Sequence, residues 1–267
     1  MKRRDFLKSS VAIVGAGATL SNLRASAQDD SKPHRQFYEL RLYHLRRGPK
    51  TELFDRFYRT AAIPALNRAG IEQVGVFTVS VGPESPTLYV LLPHPNLDSL
   101  VSIHLRLAED QEFHDAGAEY LNAPATDPAY VRVESSLMVA FEGMPKLQAP
   151  AYSSGGKSRV FELRTYESHS LKANLKKVEM FNRGEISLFR NAGFQPVFFG
   201  ETMIGSRLPN LTYMLAAENS EARDKGWSKF GADPDWKKLR ETPGYSDAEI
   251  VCDISNVLLR PTAYSQI

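Results

Sequence analysis

The 267-residue sequence contains a single cysteine, Cys252, so no disulfide can close within the chain and no pair of thiolates can hold zinc. Several catalytic signatures are missing. There is no Gly-x-x-x-x-Gly-Lys phosphate loop in the body of the chain, no Gly-x-Ser-x-Gly elbow, no Cys-x-x-Cys pair and no His-Glu-x-x-His helix. Those absences argue against nucleotide enzymes, ordinary serine hydrolases and zinc proteases. None of the six histidines stands at the close spacing of a metal-binding helix, and neither a metal nor another cofactor is expected. Long apolar runs are also scarce. The run from Val11 to Leu20 has about half the length a bilayer span needs.

That short run reads instead as part of an export signal. Lys2-Arg3-Arg4-Asp5-Phe6-Leu7-Lys8 is a twin-arginine n-region, the apolar run follows, and Ala25-Ser26-Ala27 is a small-x-small cleavage signal. The expectation is a leader over residues 1–27, read by the twin-arginine translocation machinery and cleaved after Ala27, with a periplasmic or otherwise exported product. Five basic residues against one acidic give this leader a net charge of +4, so its removal turns the formal +2 of the chain into −2. The apparent basicity belongs to the leader, and no nucleic-acid partner is expected. No cysteine follows the cleavage site to carry a lipid, so no stable membrane anchor is expected either. Cys252, in the strand-like run Glu249-Ile250-Val251-Cys252, reads as a buried inert thiol.

What the sequence does have, it has twice. Phe37-Tyr38-Glu39-Leu40-Arg41-Leu42-Tyr43 returns as Val160-Phe161-Glu162-Leu163-Arg164-Thr165-Tyr166. Glu39 with Glu162, Gly70 with Gly193, Arg106 with Lys229 and Phe113 with Trp236 all keep one offset of 123, and Tyr89 matches Tyr213 with one residue of slip. The expected organisation is a polar arm over 28–36, a first repeat over 37–142, a Pro/Gly/Ser-rich linker over 143–157, a second repeat over 158–261 and a tail over 262–267. Each repeat reads as strand, helix, two strands, helix, strand. In the first repeat a strand over 37–43 precedes a helix with Pro64 near its end. Strands over 74–81 and 87–92 follow, then a helix from Asp98 to about Ala118 and a strand over 131–139. That order is the α+β, ferredoxin-like split βαβ plan, with helices on one face of an antiparallel sheet. The bare faces of two such sheets are expected to pack together as an intramolecular pseudo-dimer, leaving a cavity between them.

The doubled Tyr38-Glu39-Leu40-Arg41-x-Tyr43 and Phe161-Glu162-Leu163-Arg164-Thr165-Tyr166 resemble the opening strand of NIPSNAP domains. Gly193-Phe194 and Asp233-Pro234-Asp235-Trp236 are similar to later signatures of that family. Copy one departs from the pattern, with Gly70-Ile71 and Asp110-Gln111-Glu112-Phe113. The resemblance implies the dimeric α/β-barrel superfamily, whose members include cofactor-free monooxygenases, isomerases and haem enzymes. It implies no particular chemistry.

Strand alternation places Glu39, Arg41 and Tyr43 on one face and Tyr38, Leu40 and Leu42 on the other. The charged set, with Glu162, Arg164 and Tyr166, is expected to line the cavity and the apolar set to pack under the helices. Glu39, Glu162 and His44 are then the candidate catalytic groups, and Arg41, Tyr43, Arg164, Tyr166, Tyr89 and Tyr213 the candidate ligand-binding groups. The same Glu–Arg neighbours also read as pairs that neutralise each other and fix how the halves dock. The histidines do not repeat: His44 faces Glu167, His104 faces Trp227 and His114 faces Lys237. His104 and His114 read as surface or packing residues. Arg106 and Lys229 read either as a solvated helix face or as anchors for an acidic ligand. Three functions remain open at this point: a binder of a small molecule, a cofactor-independent monooxygenase or isomerase acting on a phenolic or acidic compound, and an interaction module without a ligand. Self-association is also left open.

Overall fold

The computed structural model describes residues 34–151 and 159–267; the leader, residues 28–33 of the expected arm and residues 152–157 of the expected linker lie outside them. Repeat 1 comprises β1 Phe37–His44, α1 Pro49–Phe57, α2 Ile63–Arg68, β2 Gly75–Val81, β3 Thr87–His94, α3 Leu97–Glu109, α4 Gln111–Leu121 and β4 Arg132–Ala140. Repeat 2 comprises β5 Val160–Glu167, α5 Leu171–Met180, α6 Ile186–Ala192, β6 Gln195–Ile204, β7 Asn210–Ala217, α7 Ser220–Ala232, α8 Pro234–Arg240, α9 Asp247–Ile250 and β8 Asp253–Pro261.

Local chemistry sets several of these boundaries. Asn96 and Asn219 cap α3 and α7, each side chain accepting a backbone N–H three residues on. The helix expected from Asp98 thus begins one residue earlier, at Leu97, and Asp98 lies in its first turn. The long second helix expected in repeat 1 is two helices, because Asp110 leaves the helical region and caps α4 through the N–H of Phe113. Asp233 and Pro234 make the same break in repeat 2, as their sequence suggests.

The first helix of each repeat contains a π-helical turn, at Tyr58–Ala62 and at Phe181–Glu185, in the same register of the duplication. Pro64, which cannot donate to the preceding turn, explains the first irregularity but not the second, since Ser187 occupies the matching place. The extra residue is thus a property of this position in the fold.

All eight strands pair antiparallel into one closed barrel in the order β1-β3-β2-β8-β5-β7-β6-β4. The seams between repeats are β2–β8 and β4–β6, so closure leaves neither sheet an unpaired edge. Tyr38, Leu40 and Leu42 point into the barrel, where they meet Phe77, Phe161, Leu163 and Met214. Tyr43 lies instead in the helix-covered core with Phe54, Tyr58 and Val90. The two faces of the opening strand are therefore reversed from the sequence expectation. The interior receives large apolar side chains from both sheets, so the charged set goes under the helices, where each carboxylate finds a guanidinium and further donors. A separate aromatic core fills the space under the helices of repeat 2, with Phe189 stacked on Phe230 at 4.6 Å.

One end of the barrel is sealed. Leu147 and Ile267 join the interior cluster there, beside Phe77, Phe161 and Phe198. At the other end lie the last residues of β1 and β5 and the first of β3, β4, β7 and β8, as the pairs His44↔Thr87, His44↔Arg132, Glu167↔Asn210 and Glu167↔Asp253 show.

Candidate functional site

In repeat 1 the charged face of β1 forms a compact cluster under α3. Arg41 donates through Nε and Nη2 to the two oxygens of Glu39, both at 2.7 Å, and Ser135 Oγ donates to Glu39 at 2.9 Å. The buried His94 brings Nε2 to 3.6 Å from Glu39, an electrostatic contact too long for a hydrogen bond, while its Nδ1 lies 3.2 Å from Ser99 Oγ. Burial pushes the Glu39 carboxyl up, but His94 and Arg41 outweigh it and hold the group at about 2, against an ordinary 4.5. Tyr43 and Tyr58 pack edge to face beside this cluster.

Repeat 2 builds a denser version. Glu162, 1% exposed, is bonded to Arg164 at 3.0 Å, Arg223 at 2.7 Å, Trp227 Nε1 at 2.8 Å and Asn256 at 3.2 Å. Burial opposes its ionisation, and the bonds from Arg223 and Trp227 more than reverse that, so its pKa is also lowered. The Arg164 guanidinium lies over the Trp227 ring at 4.7 Å and near Tyr166, whose hydroxyl is 3.0 Å from that of Tyr213. Burial raises the pKa of both phenols. Behind them Lys177, fully buried, lies 3.3 Å from Glu185 and 3.0 Å from Asp247. At the matching positions of repeat 1 are Phe54 and Ala62. These clusters are two separate sets, one per repeat, each between its own strand and helices. They do not converge on a common cavity.

The cavity between the repeats lies elsewhere, at the open end of the barrel. It measures about 460 Å³ and is lined from both repeats, a size typical of small-molecule sites. Of the sequence-selected residues only Tyr89 lines it. Strand register shows why Tyr89 and Tyr213 part company: Tyr89 pairs with Leu42 on the interior face, whereas Tyr213 pairs with Arg164 on the helix face. At the common offset the counterpart of Tyr89 is Thr212. Leu42 and Tyr89 make the repeat 1 wall of the mouth, and their counterparts Thr165 and Thr212, with Ser255, make the repeat 2 wall. Gly205 arches over Ser136; a Cβ there would come within 2.7 Å of Ser136 Oγ, so glycine keeps this side of the mouth open.

His44 sits at the rim, buried, with Nδ1 2.8 Å from Glu84 and Nε2 3.1 Å from Glu134, which itself lines the cavity. His104 and His114 are exposed on α3 and α4. Arg106 and Lys229 act alike, since each reaches a carbonyl at the end of the first helical segment of its repeat, Ala69 and Asn191 respectively. Phe113 and Trp236 pack in the helix-covered cores of their own repeats. Cys252, expected in a strand, precedes β8 and is exposed, because Asp247–Ile250 forms a short helix. Sequence reasoning missed His94, Arg223 and Lys177, and the hydroxyl wall. Among the described residues no group of three His, Cys, Asp or Glu side chains is placed to hold a metal ion, and no helix is long and apolar enough to cross a membrane.

The family model for NIPSNAP matches residues 38–141 and 161–266, one match per repeat. No curated protein matches the sequence. Among solved structures, a "putative monooxygenase" from Fusobacterium nucleatum aligns with a TM-score of 0.57 at 10% identity, over 85% of this chain and 92% of that one. A second protein so described, from Lactobacillus acidophilus, aligns with a TM-score of 0.56 at 10% identity, over 85% and 94%. A NIPSNAP-like domain protein from Burkholderia xenovorans aligns at 20% identity over 40% of this chain and 88% of that one, with a TM-score of 0.36. At these identities the first two likenesses establish a shared fold.

Proposed function

The chain belongs to the NIPSNAP family, and we propose that it is an exported protein that binds a small molecule in the open mouth between its two repeats. The observation that carries this reading is the blind cavity of about 460 Å³, sealed at one end by an apolar plug and lined at the other by both repeats. A solid eight-stranded barrel needs no such space, because its interior is just wide enough for side chains to fill. Export rests on the twin-arginine leader and its small-x-small site.

The Glu–Arg sets support binding over catalysis at Glu39 and Glu162. A carboxylate stabilised in its charged form by several donors is a weak proton acceptor, and both are so held. They fit the role of anchors, Glu162 tying β5 to α7 through Arg223 and Trp227, and Glu39 tying β1 to β3 and β4 through His94 and Ser135.

A second reading is cofactor-independent oxygenation or isomerisation of the bound compound. It draws on the fold shared with the two monooxygenase-described structures and on one local feature, the His44–Glu134 pair at the rim of the cavity. There His44 would handle the proton, and turnover unchanged by His44→Ala would remove that assignment.

The binding reading is tested by filling the mouth. Ser136→Trp is compared with the wild type in a thermal-shift screen of small metabolites. Compounds that stabilise the wild type are expected to lose their effect on the variant. Equal stabilisation of both proteins by every hit would place binding outside the mouth and overturn the reading.

A further inference from the structure

The mouth is not symmetric, although the chain is nearly so. At one level of the barrel repeat 1 presents Leu42 and Tyr89, and at the same level repeat 2 presents Thr165 and Thr212. One level deeper, Leu40 and Leu163 are apolar in both copies. The two halves have therefore diverged at the ring of side chains that a bound molecule would touch. Leu42 and Tyr89 are aliphatic and aromatic, with Glu134 beside Leu42 and Ser136 one level deeper, whereas Thr165, Thr212 and Ser255 opposite them all carry hydroxyls.

The charges at the rim are already committed. Arg207 donates through Nη1 to Glu167 at 3.1 Å and to Ser255 at 3.0 Å. Glu134 accepts from Arg132 at 2.9 Å and lies 3.1 Å from His44. An ionic ligand would meet rim charges that are each already neutralised by a partner, and it would give up its own hydration on entering. A hydroxyl or carbonyl group meets no such obstacle. In the Thr165–Thr212 pair, 2.9 Å apart, only one hydroxyl proton is used between the two oxygens. The other proton and the remaining lone pairs are free to turn toward a ligand.

We propose that the mouth selects small uncharged compounds with one apolar or aromatic face and one hydroxyl or carbonyl edge, the class of phenols and alcohols, over carboxylates and ammonium ions. This rests on the binding reading above and narrows it. The apolar face lies against Leu42 and Tyr89, and the polar edge against Thr165, Thr212 and Ser255. Such a ligand leaves every rim ion pair intact and loses apolar area to water only at the opening.

Three probes of matched shape separate the alternatives: para-propylphenol, para-propylbenzoate and para-propylbenzylammonium, titrated into the intact chain at neutral pH. Methyl chemical shifts of Leu40, Leu42 and Leu163 report occupancy of the mouth. The phenol is expected to shift them and to bind at least about tenfold more tightly than either ion, the penalty of one uncompensated charge. Thr165→Val with Thr212→Val replaces both partners of a hydrogen bond by isosteres and is expected to fold. It should weaken the phenol about fivefold and leave the ions unchanged. Ser255→Ala provides a second, milder variant of the same wall. Benzoate or benzylammonium binding as tightly as the phenol would overturn the class while leaving the cavity reading in place. If no probe shifts the mouth methyls, the cavity reading falls as well.

Discussion

Glu39→Gln is the most informative single substitution in the scaffold, because its cost can be worked from the structure and followed with pH. The Glu39 side chain is 13% exposed and receives two bonds from Arg41, itself 21% exposed, at 2.7 Å. Holding the carboxyl at about 2 instead of 4.5 corresponds to a native-state preference for the charged form of roughly 3 kcal/mol. The folded-state value is the lower one, so this contribution is complete above the unfolded value and is lost as pH falls toward the folded one. Urea denaturation of wild type and variant should therefore differ by about 3 kcal/mol at neutral pH, by about half that near pH 3, and by little below about pH 2. In melting temperature the neutral-pH gap corresponds to roughly 6–12 °C. A gap that stays constant across this range would refute the reasoning, since the lost stability would then not come from the ionised carboxylate.

Glu162→Gln removes the centre of a four-donor arrangement and turns one acceptor into a donor facing Arg223 and Trp227. A loss of about 3–5 kcal/mol is expected in chemical denaturation, larger than for the more open Glu39. Lys177→Met strands Glu185 in a site where burial already raises its pKa and should cost about the same; adding Glu185→Ala should recover most of that loss. The double variant approaches the apolar solution that repeat 1 already uses with Phe54 and Ala62, and failure of the second change to rescue the first would show that the pair is not the source of the cost.

The duplication was legible because it is linear information. A single offset aligned Glu39 with Glu162 and Arg106 with Lys229, and the order of elements within each copy led to the ferredoxin-like plan. The inward and outward faces were not legible from alternation alone. A period of two divides β1 into Tyr38-Leu40-Leu42 and Glu39-Arg41-Tyr43, yet both sets contain aromatics, and either can be imagined under helices. The decision comes from the other strands: Phe77, Phe161 and Met214 make the interior apolar, and only barrel closure brings them to Tyr38 and Leu40. Tyr89 and Tyr213 show the same limit on a finer scale, since one residue of slip moves a side chain to the opposite face. The hydroxyl wall carried no signal at all. Thr165, Thr212 and Ser255 are ordinary strand residues, scattered along the second repeat and joined only by strand register. His94 had a faint signal, as its place in the second copy is taken by Ala217, and Lys177 had one too, opposite Phe54.

A crystal structure of the protein purified from its natural compartment tests the central claim most directly. The account predicts non-protein density in the barrel mouth, against Leu42 and Tyr89 on one side and Thr165 and Thr212 on the other. A mouth holding only water, with a ligand instead bound between β1 or β5 and the overlying helices beside Glu39 or Glu162, would contradict it.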